Sequence, residues 1–214
     1  MLLKAGVRTL TVLSIVWAAF FVFNGCGKKQ TESSTETQIE ETIIRLILYD
    51  STGTEAIFEK AQIFKVNVPK LAKHWDRNLR ATGTFDNFES MPGKVNKDSI
   101  TTVAASTEVL TEFIPPLEQG IHLRIFHCRV HNSFTSTKED MMYTVDYKTA
   151  KATMVLVFPK SRAVRNILKL QKRRGALTED VDRHDLFVAS DNLRVRWEIP
   201  DPVLGFSYYI QWEW

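Results

Sequence analysis

The chain has 214 residues and a formal charge of +3, from 28 Lys and Arg against 25 Asp and Glu. A charge so near balance carries no argument for nucleic-acid binding, which rests on a strong basic field. Hydrophobic residues make up 44% of the chain, so it can bury a core, provided the apolar start is set apart from the rest.

Met1 to Thr9 carries Lys4 and Arg8, and Leu10 to Phe23 is apolar almost throughout. Phe23-Asn24-Gly25-Cys26 closes the run before the polar Gly27-Lys28-Lys29-Gln30. The apolar run is shorter than the roughly 20 residues of a membrane span and fits the roughly 7–15 of a signal core. No A-x-A-like cleavage site ends the core, because Ala18-Ala19 lies inside it. A basic start, a short apolar core and a small residue before a single Cys resemble a bacterial lipoprotein signal. The resemblance implies that residues 1–25 are removed and that Cys26 carries lipid, with the several acyl chains stable anchoring requires. An uncleaved anchor from Leu10 to Gly25 is the alternative, and it tethers the chain too. Gly27 after Cys26 favours the outer membrane, facing periplasm or cell surface. Loss of Lys4 and Arg8 lowers the charge from +3 to +1. With Cys26 acylated, Cys128 has no partner within the chain and is expected as a buried thiol.

Residues 26–41 are expected to be the lipidated Cys and a flexible linker. Gly27 to Glu41 (GKKQTESSTETQIEE) holds one apolar side chain, Ile39, too little to offset chain entropy. Residues 42–214 are then one domain of ~170 residues. Thr42 to Tyr49 (TIIRLILY) reads as a central strand, and Asp50-Ser51-Thr52-Gly53-Thr54 as a turn. Gln62 to Val68 alternates as a strand and Pro69 ends it. Lys70 to Arg80 is expected as a helix, with Leu71, Trp75 and Leu79 on one stripe. Ala81 to Lys97 reads as loop, and Ile100 to Ile114 as one or two strands. Pro115 to Gly120 reads as a turn, Ile121 to Val130 as a strand, and His131 to Asp140 as a polar segment. Met141 to Tyr147 and Thr153 to Phe158 are expected to form a hairpin. Ser161 to Arg174 is expected as a second helix, capped by Ser161 and stopped at Gly175, and Thr178 to Leu186 as a third. Leu193 to Ile199 and Phe206 to Trp214 each alternate cleanly, which predicts a C-terminal hairpin with one buried and one wet face.

The expected fold class is mainly β: an antiparallel β-sandwich with one to three short helices. Asp50-Ser51-Thr52-Gly53 with Ile57, Ala61 and Ile63 to Val66, and Ile114 to Ile125 with Gly120, resemble passages of transthyretin-like sandwiches. Such a sandwich on a lipid tether is similar to the outer-membrane lipoprotein of type VI secretion systems. That resemblance implies a role in holding an envelope protein partner at the membrane.

The residues themselves name no reaction. There is no G-x-S-x-G, H-E-x-x-H, phosphate-binding glycine loop or calcium loop. No catalytic residue, metal ligand set or cofactor site is predicted. His127 and His131 fall on one strand face about 13 Å apart, too far to share an ion directly. Glu179, Asp180, Asp182, His184 and Asp185 read as a solvated acidic cluster. Arg162, Arg165, Lys169, Lys172, Arg173 and Arg174 form the basic segment, with Arg162, Arg165, Lys169 and Lys172 on one side of the expected helix. They are the candidate contacts to a protein partner or an anionic surface. The expected function is a tethered envelope protein that binds and positions a partner, with no nucleic acid or small-molecule substrate evident. A surface adhesin or fimbrial subunit is the second reading. An enzyme built on loops Ala81–Lys97 and His131–Asp140 is the third.

Overall fold

The computed structural model describes residues 36–103 and 106–214. The signal-like segment, Cys26 and the linker as far as residue 35 lie outside the described residues. What is described is nearly all strand, with no helix among the described residues.

The larger sheet runs in the order β10 (Leu186–Val188), β11 (Arg194–Pro200), β7 (Thr149–Val157), β1 (Thr37–Leu48), β2 (Glu55–Arg80), β5 (Ser106–His131) and β3 (Thr84–Met91). β4 (Lys94–Val103) also pairs with β5. The smaller sheet runs β6 (Lys138–Thr144), β12 (Ser207–Glu213), β8 (Asn166–Arg174) and β9 (Leu177–Asp180). β1 and β7 run parallel, so the expected all-antiparallel arrangement does not hold in the larger sheet.

β1 and β2 form the expected hairpin around Asp50. The Asp50 carboxylate accepts from the backbone N–H of Thr52 at 2.8 Å, Thr54 at 3.2 Å and Glu55 at 2.8 Å. Burial works to raise its pKa, but the Thr52 hydroxyl, with the Thr54 and Glu55 backbone N–H groups and the Thr54 hydroxyl, holds it below the usual carboxylate range. Gly53 has φ +73°, and a Cβ there would come within 1.6 Å of the Phe134 carbonyl oxygen, so the turn admits only glycine. β1 starts before the expected boundary at residue 42. Thr37 and Ile39 are buried, so residues 37–41 belong to the strand rather than the linker.

Both expected later hairpins are instead crossings between sheets. β6 pairs with β12 while β7 pairs with β1 and β11, and β11 and β12 themselves lie in different sheets. Alternation shows which side of a strand is buried but not which strand lies beside it. Both sheets feed one buried cluster: Ile44, Leu46, Met154, Leu156 and Trp197 from the larger, Tyr143, Leu170, Tyr208, Ile210 and Trp212 from the smaller. Phe158 packs edge-on against Trp212 and Trp214, with centroids 5.8 and 5.9 Å away.

The three expected helices are strands or turns. Lys70 to Arg80 is the second half of β2, and Ser161 to Arg174 is a turn followed by β8. Thr178 to Leu186 holds most of β9, a turn and the start of β10. Bulges explain the misreading. Pairing slips between Leu71 and Lys73 and between Asp76 and Leu79, and again where β8 meets Gln211 and Trp212. Each slip puts inward residues three apart, as Leu71 and His74, Asp76 and Leu79, and Ile167 and Leu170 show. A spacing of three among apolar positions imitates a helical stripe. Asn78, at one slip, has φ +57°. Ala81 to Lys97, expected as loop, contains β3 and the start of β4.

β2 and β5 pair along most of their length, with a slip between Val66 and Lys70 opposite Gly120 and Glu118; Pro115 to Gly120, expected as a turn, is part of β5, and Pro69 does not end β2. The ribbon folds back on itself there, and Val66, Leu71, Phe113 and Leu117 fill the corner. Between its halves lies a buried ionic cluster. Arg124 is fully buried; its Nη1 and Nη2 lie 3.2 and 2.5 Å from the two carboxylate oxygens of Asp76. It also donates to Gln62 Oε1 at 3.0 Å, Thr111 Oγ1 at 2.8 Å and Ser90 Oγ at 3.1 Å. Lys60 Nζ reaches Asp76 at 3.1 Å. Burial alone would raise the Asp76 pKa, but Arg124 and then Lys60 hold it well below the usual range. Asp76→Ala leaves two buried cations without their anion and should cost about 3–5 kcal/mol in urea unfolding. The double change Asp76→Leu with Arg124→Met should recover much of that loss. A single-variant loss below ~1 kcal/mol would mean that the cluster does not hold the ribbon.

Candidate functional site

The fold-back decides which side of β5 faces outward. Arg124, Phe126 and Cys128 point inward and are 0% exposed. Side chains alternate along a strand, so Ile121, Leu123 and Ile125 point outward, with 71, 63 and 37% exposure. Met91 pairs with Ile125 across β3 and is 74% exposed. Ala61 and Ile43 continue the same row through β2 and β1. The next row is charged, running Glu89, His127, Glu59 and Arg45, with contacts of 3.3 Å for Glu89–His127 and 2.8 Å for Glu59–Arg45. An exposed apolar band bordered by an ordered charged row has the make-up of a docking surface.

His131 lies farther along this face. Its Nδ1 is 2.9 Å from Glu55 Oε1 and its Nε2 is 3.0 Å from Asp86 Oδ1. The Asp86 contact is an ion pair when the imidazole is protonated. His127 and His131 share a face as expected, and each has its own carboxylate partners. Cys128 is free and buried, and desolvation pushes its thiol pKa far up, so it is no nucleophile. The His184 side chain is 83% exposed beside Asp182, as a solvated acidic cluster requires.

A second concave feature lies where the end of β2 approaches β6. An outer groove of about 270 Å³ is bordered by Arg80, Thr82, Ser133, Asp140, Met142 and Tyr209. An inner cavity of about 40 Å³ opens between an apolar side at Leu46, Phe58, Phe85 and Phe134 and a polar side that includes Lys60, Arg77, Asn78 and Arg80. Asn78 donates to Asp146 at 2.7 Å and Tyr147 Oη to the Trp75 carbonyl at 3.0 Å, tying β2 to the segment after β6.

The basic segment is dispersed, because β8 is a strand and its neighbours alternate. Lys169 and Arg173 lie on the outer face of the smaller sheet, where Arg173 stacks over Tyr209 at 4.5 Å. Lys172 and Arg174 take the opposite parity, over Phe206, and Lys172 pairs with Glu179 at 2.7 Å. Arg165 is exposed just before β8. Arg162 lies 3.8 Å over the Trp214 ring and donates to the carbonyls of Ser51 and Ser136, both at 3.0 Å. That set of contacts makes Arg162 a loop tie. The six cations do not share one side. Ile121 to Val130 is a strand as expected, and the exposed row of Ile121, Leu123 and Ile125 on it was not singled out by the sequence.

No family model matches the chain, and a search of curated proteins finds no relative. Among solved structures, an M1 zinc metallopeptidase of Deinococcus radiodurans is similar at 7% identity and TM-score 0.45, over 82% of this chain and 42% of that one. Yeast LTA4 hydrolase is similar at 7% identity and TM-score 0.46, over 87% of this chain and 31% of that one. A Legionella pneumophila protein, provisionally described as nutrient binding, is similar at 8% identity and TM-score 0.45, over 83% and 67% of the two chains. This chain thus spans less than half the length of the two enzymes. Likenesses this remote identify neither an activity nor a family.

Asp86 and then Glu55 raise the His131 pKa above its ordinary value. A raised folded-state pKa gives stability that is complete below the unfolded value of about 6.5 and fades as pH climbs through the folded value. Buried His74, whose pKa is lowered, works in the opposite sense, so the prediction concerns the difference between two proteins: the Tm advantage of wild type over His131→Gln should shrink from pH 6 to pH 8.5. Equal slopes in the two proteins would show that these contacts add no linkage.

Proposed function

We infer that the protein is a membrane-tethered lipoprotein of a bacterial envelope that binds and positions a protein partner on the outer face of its larger sheet. The observation that carries this reading is the exposed band of Ile121, Leu123, Ile125 and Met91. Burying such side chains yields about 1.5–3 kcal/mol each, before the cost of association is subtracted. The row of Arg45, Glu59, His127 and Glu89 would set orientation, since charge complementarity confers specificity more than affinity. Cys26 is the lipid-bearing residue in this reading, and the chain before Thr37 gives the domain reach. The two sheets are taken as a transthyretin-like sandwich. The most concrete version is the outer-membrane lipoprotein of a secretion-system membrane complex. For the enzyme reading, a pocket joining His131 or His184 to carboxylates would be needed. His131 is half-buried between Glu55 and Asp86, outside both concave features described above, and His184 lies in solvent.

The test is a pull-down from mildly solubilised envelopes, comparing wild type, Cys26→Ala and the double variant Ile121→Asp with Leu123→Asp. Wild type should bring down a stable envelope partner. The double variant should keep its fold and location and lose that partner by more than about tenfold. Cys26→Ala should change the location. A protein that comes down alone, or a partner retained by the double variant, would contradict the reading.

A further inference from the structure

β6 forms one edge of the smaller sheet and, among the described residues, pairs only with β12. The direction of its ladder can be read from its ends. The N–H of Val145 donates to the Phe206 carbonyl, and the N–H of Trp214 donates to the Thr137 carbonyl. In an antiparallel pair, directly bonded positions recur every second residue. Positions 139, 141 and 143 therefore bond to β12, and the N–H and C=O of Asp140, Met142 and Thr144 point away from it. These residues line the groove and the inner cavity. Such a row of unpaired backbone groups is a template for another strand.

The groove borders this edge. Its far side is the Arg77 to Thr82 stretch, and the Asn78–Asp146 bond closes one end. From Asp140 to Thr144 the edge runs about 14 Å, the length of about four residues. The inner face of that edge overlooks the small cavity, whose Leu46, Phe58, Phe85 and Phe134 side offers an apolar patch to the tip of an aliphatic side chain. On its outer face, Asp140 stands in a row with Gln211 and Lys169, and has no ion pair among the described residues. Desolvation raises the Asp140 pKa, and Arg173 offsets this only in part.

We propose that the free edge of β6 takes up an extended peptide segment of a partner protein as an added strand, with an aliphatic side chain over the inner cavity and a Lys or Arg beside Asp140. Alternation along the added strand satisfies both requirements at once, since successive side chains face opposite sides. Main-chain bonds supply the affinity and the two side-chain contacts the selectivity. This edge is on the other sheet from the exposed Ile121 band, so the proposal stands apart from the docking reading above.

The probe is the peptide acetyl-Val-Lys-Val-Lys-Val-amide, offered to the full-length protein in detergent micelles. Amide exchange is followed by NMR. In the free protein, the Met142 and Thr144 amides should exchange quickly and the Tyr143 amide slowly. The probe should slow exchange at Met142 and Thr144 by about tenfold or more. A version N-methylated at alternate residues should bind at least about tenfold more weakly. Met142→Pro removes a donor facing the groove without touching the β12 ladder, a change edge strands tolerate, and should abolish binding. Asp140→Asn should weaken binding and reduce its salt dependence. The proposal is overturned by no binding at ~1 mM probe, by equal binding of the N-methylated version, or by protection that appears elsewhere. If Met142→Pro fails to fold, the exchange and N-methylation results still decide.

Discussion

Arg124 is fully enclosed, and its guanidinium is neutralised because Asp76 arrives from the far half of the neighbouring strand. That one pairing has consequences in both directions. It joins the two halves of a ribbon that would otherwise be a long exposed arm, and it fixes the parity of β5. Once Arg124, Phe126 and Cys128 point inward, Ile121, Leu123 and Ile125 have no choice but to point outward. An apolar face is thus presented to solvent because a buried ion pair holds the opposite face. A slip of one residue would bury the isoleucines and expose the charge. It would also leave Asp76 and Lys60 without their partner, at a cost of several kcal/mol.

The same fold-back sets up the groove. It carries the end of β2 across to the smaller sheet, where Asn78 meets Asp146 and Tyr147 meets the Trp75 carbonyl. His74 is enclosed in this region, stacked on Tyr147 with centroids 4.6 Å apart. Burial and then Arg124 lower its pKa well below the ordinary value, so it stays neutral and serves packing. The domain therefore displays two kinds of surface on different sheets. One is a broad face whose energy would come from apolar area. The other is a strand edge whose energy would come from main-chain bonds.

Local features of the sequence carried much of the β content and its turns. The Asp50 to Thr54 turn, the alternation of Leu193 to Ile199 and Phe206 to Trp214, and the burial of Cys128 all follow from short-range patterns. Partner choice did not follow, because an alternating strand such as Tyr208 to Trp212 satisfies its burial equally well in either sheet. The three helix expectations failed for a physical reason. Bulges at Asn78 and opposite Gln211 shift the inward positions by one, and the resulting spacings match a helical stripe as well as a broken strand. The candidate surface was the least legible part. Arg124 and Asp76 are 48 residues apart, and nothing local marks them as partners. Without that pairing, Ile121, Leu123 and Ile125 look like core. The basic segment looked like a surface because it was placed on a helix. On a strand its members part to opposite faces, and Arg162 is used to clamp Trp214.

The most direct test of partner binding on the outer face is site-specific photocrosslinking in intact cells. A photoreactive side chain would be placed at Leu123 and, as a control, at Leu204, which is exposed in the loop between β11 and β12. The account predicts one discrete crosslinked envelope protein from position 123 and none from position 204. An absence of crosslinks at 123, or the same products from both positions, would contradict it.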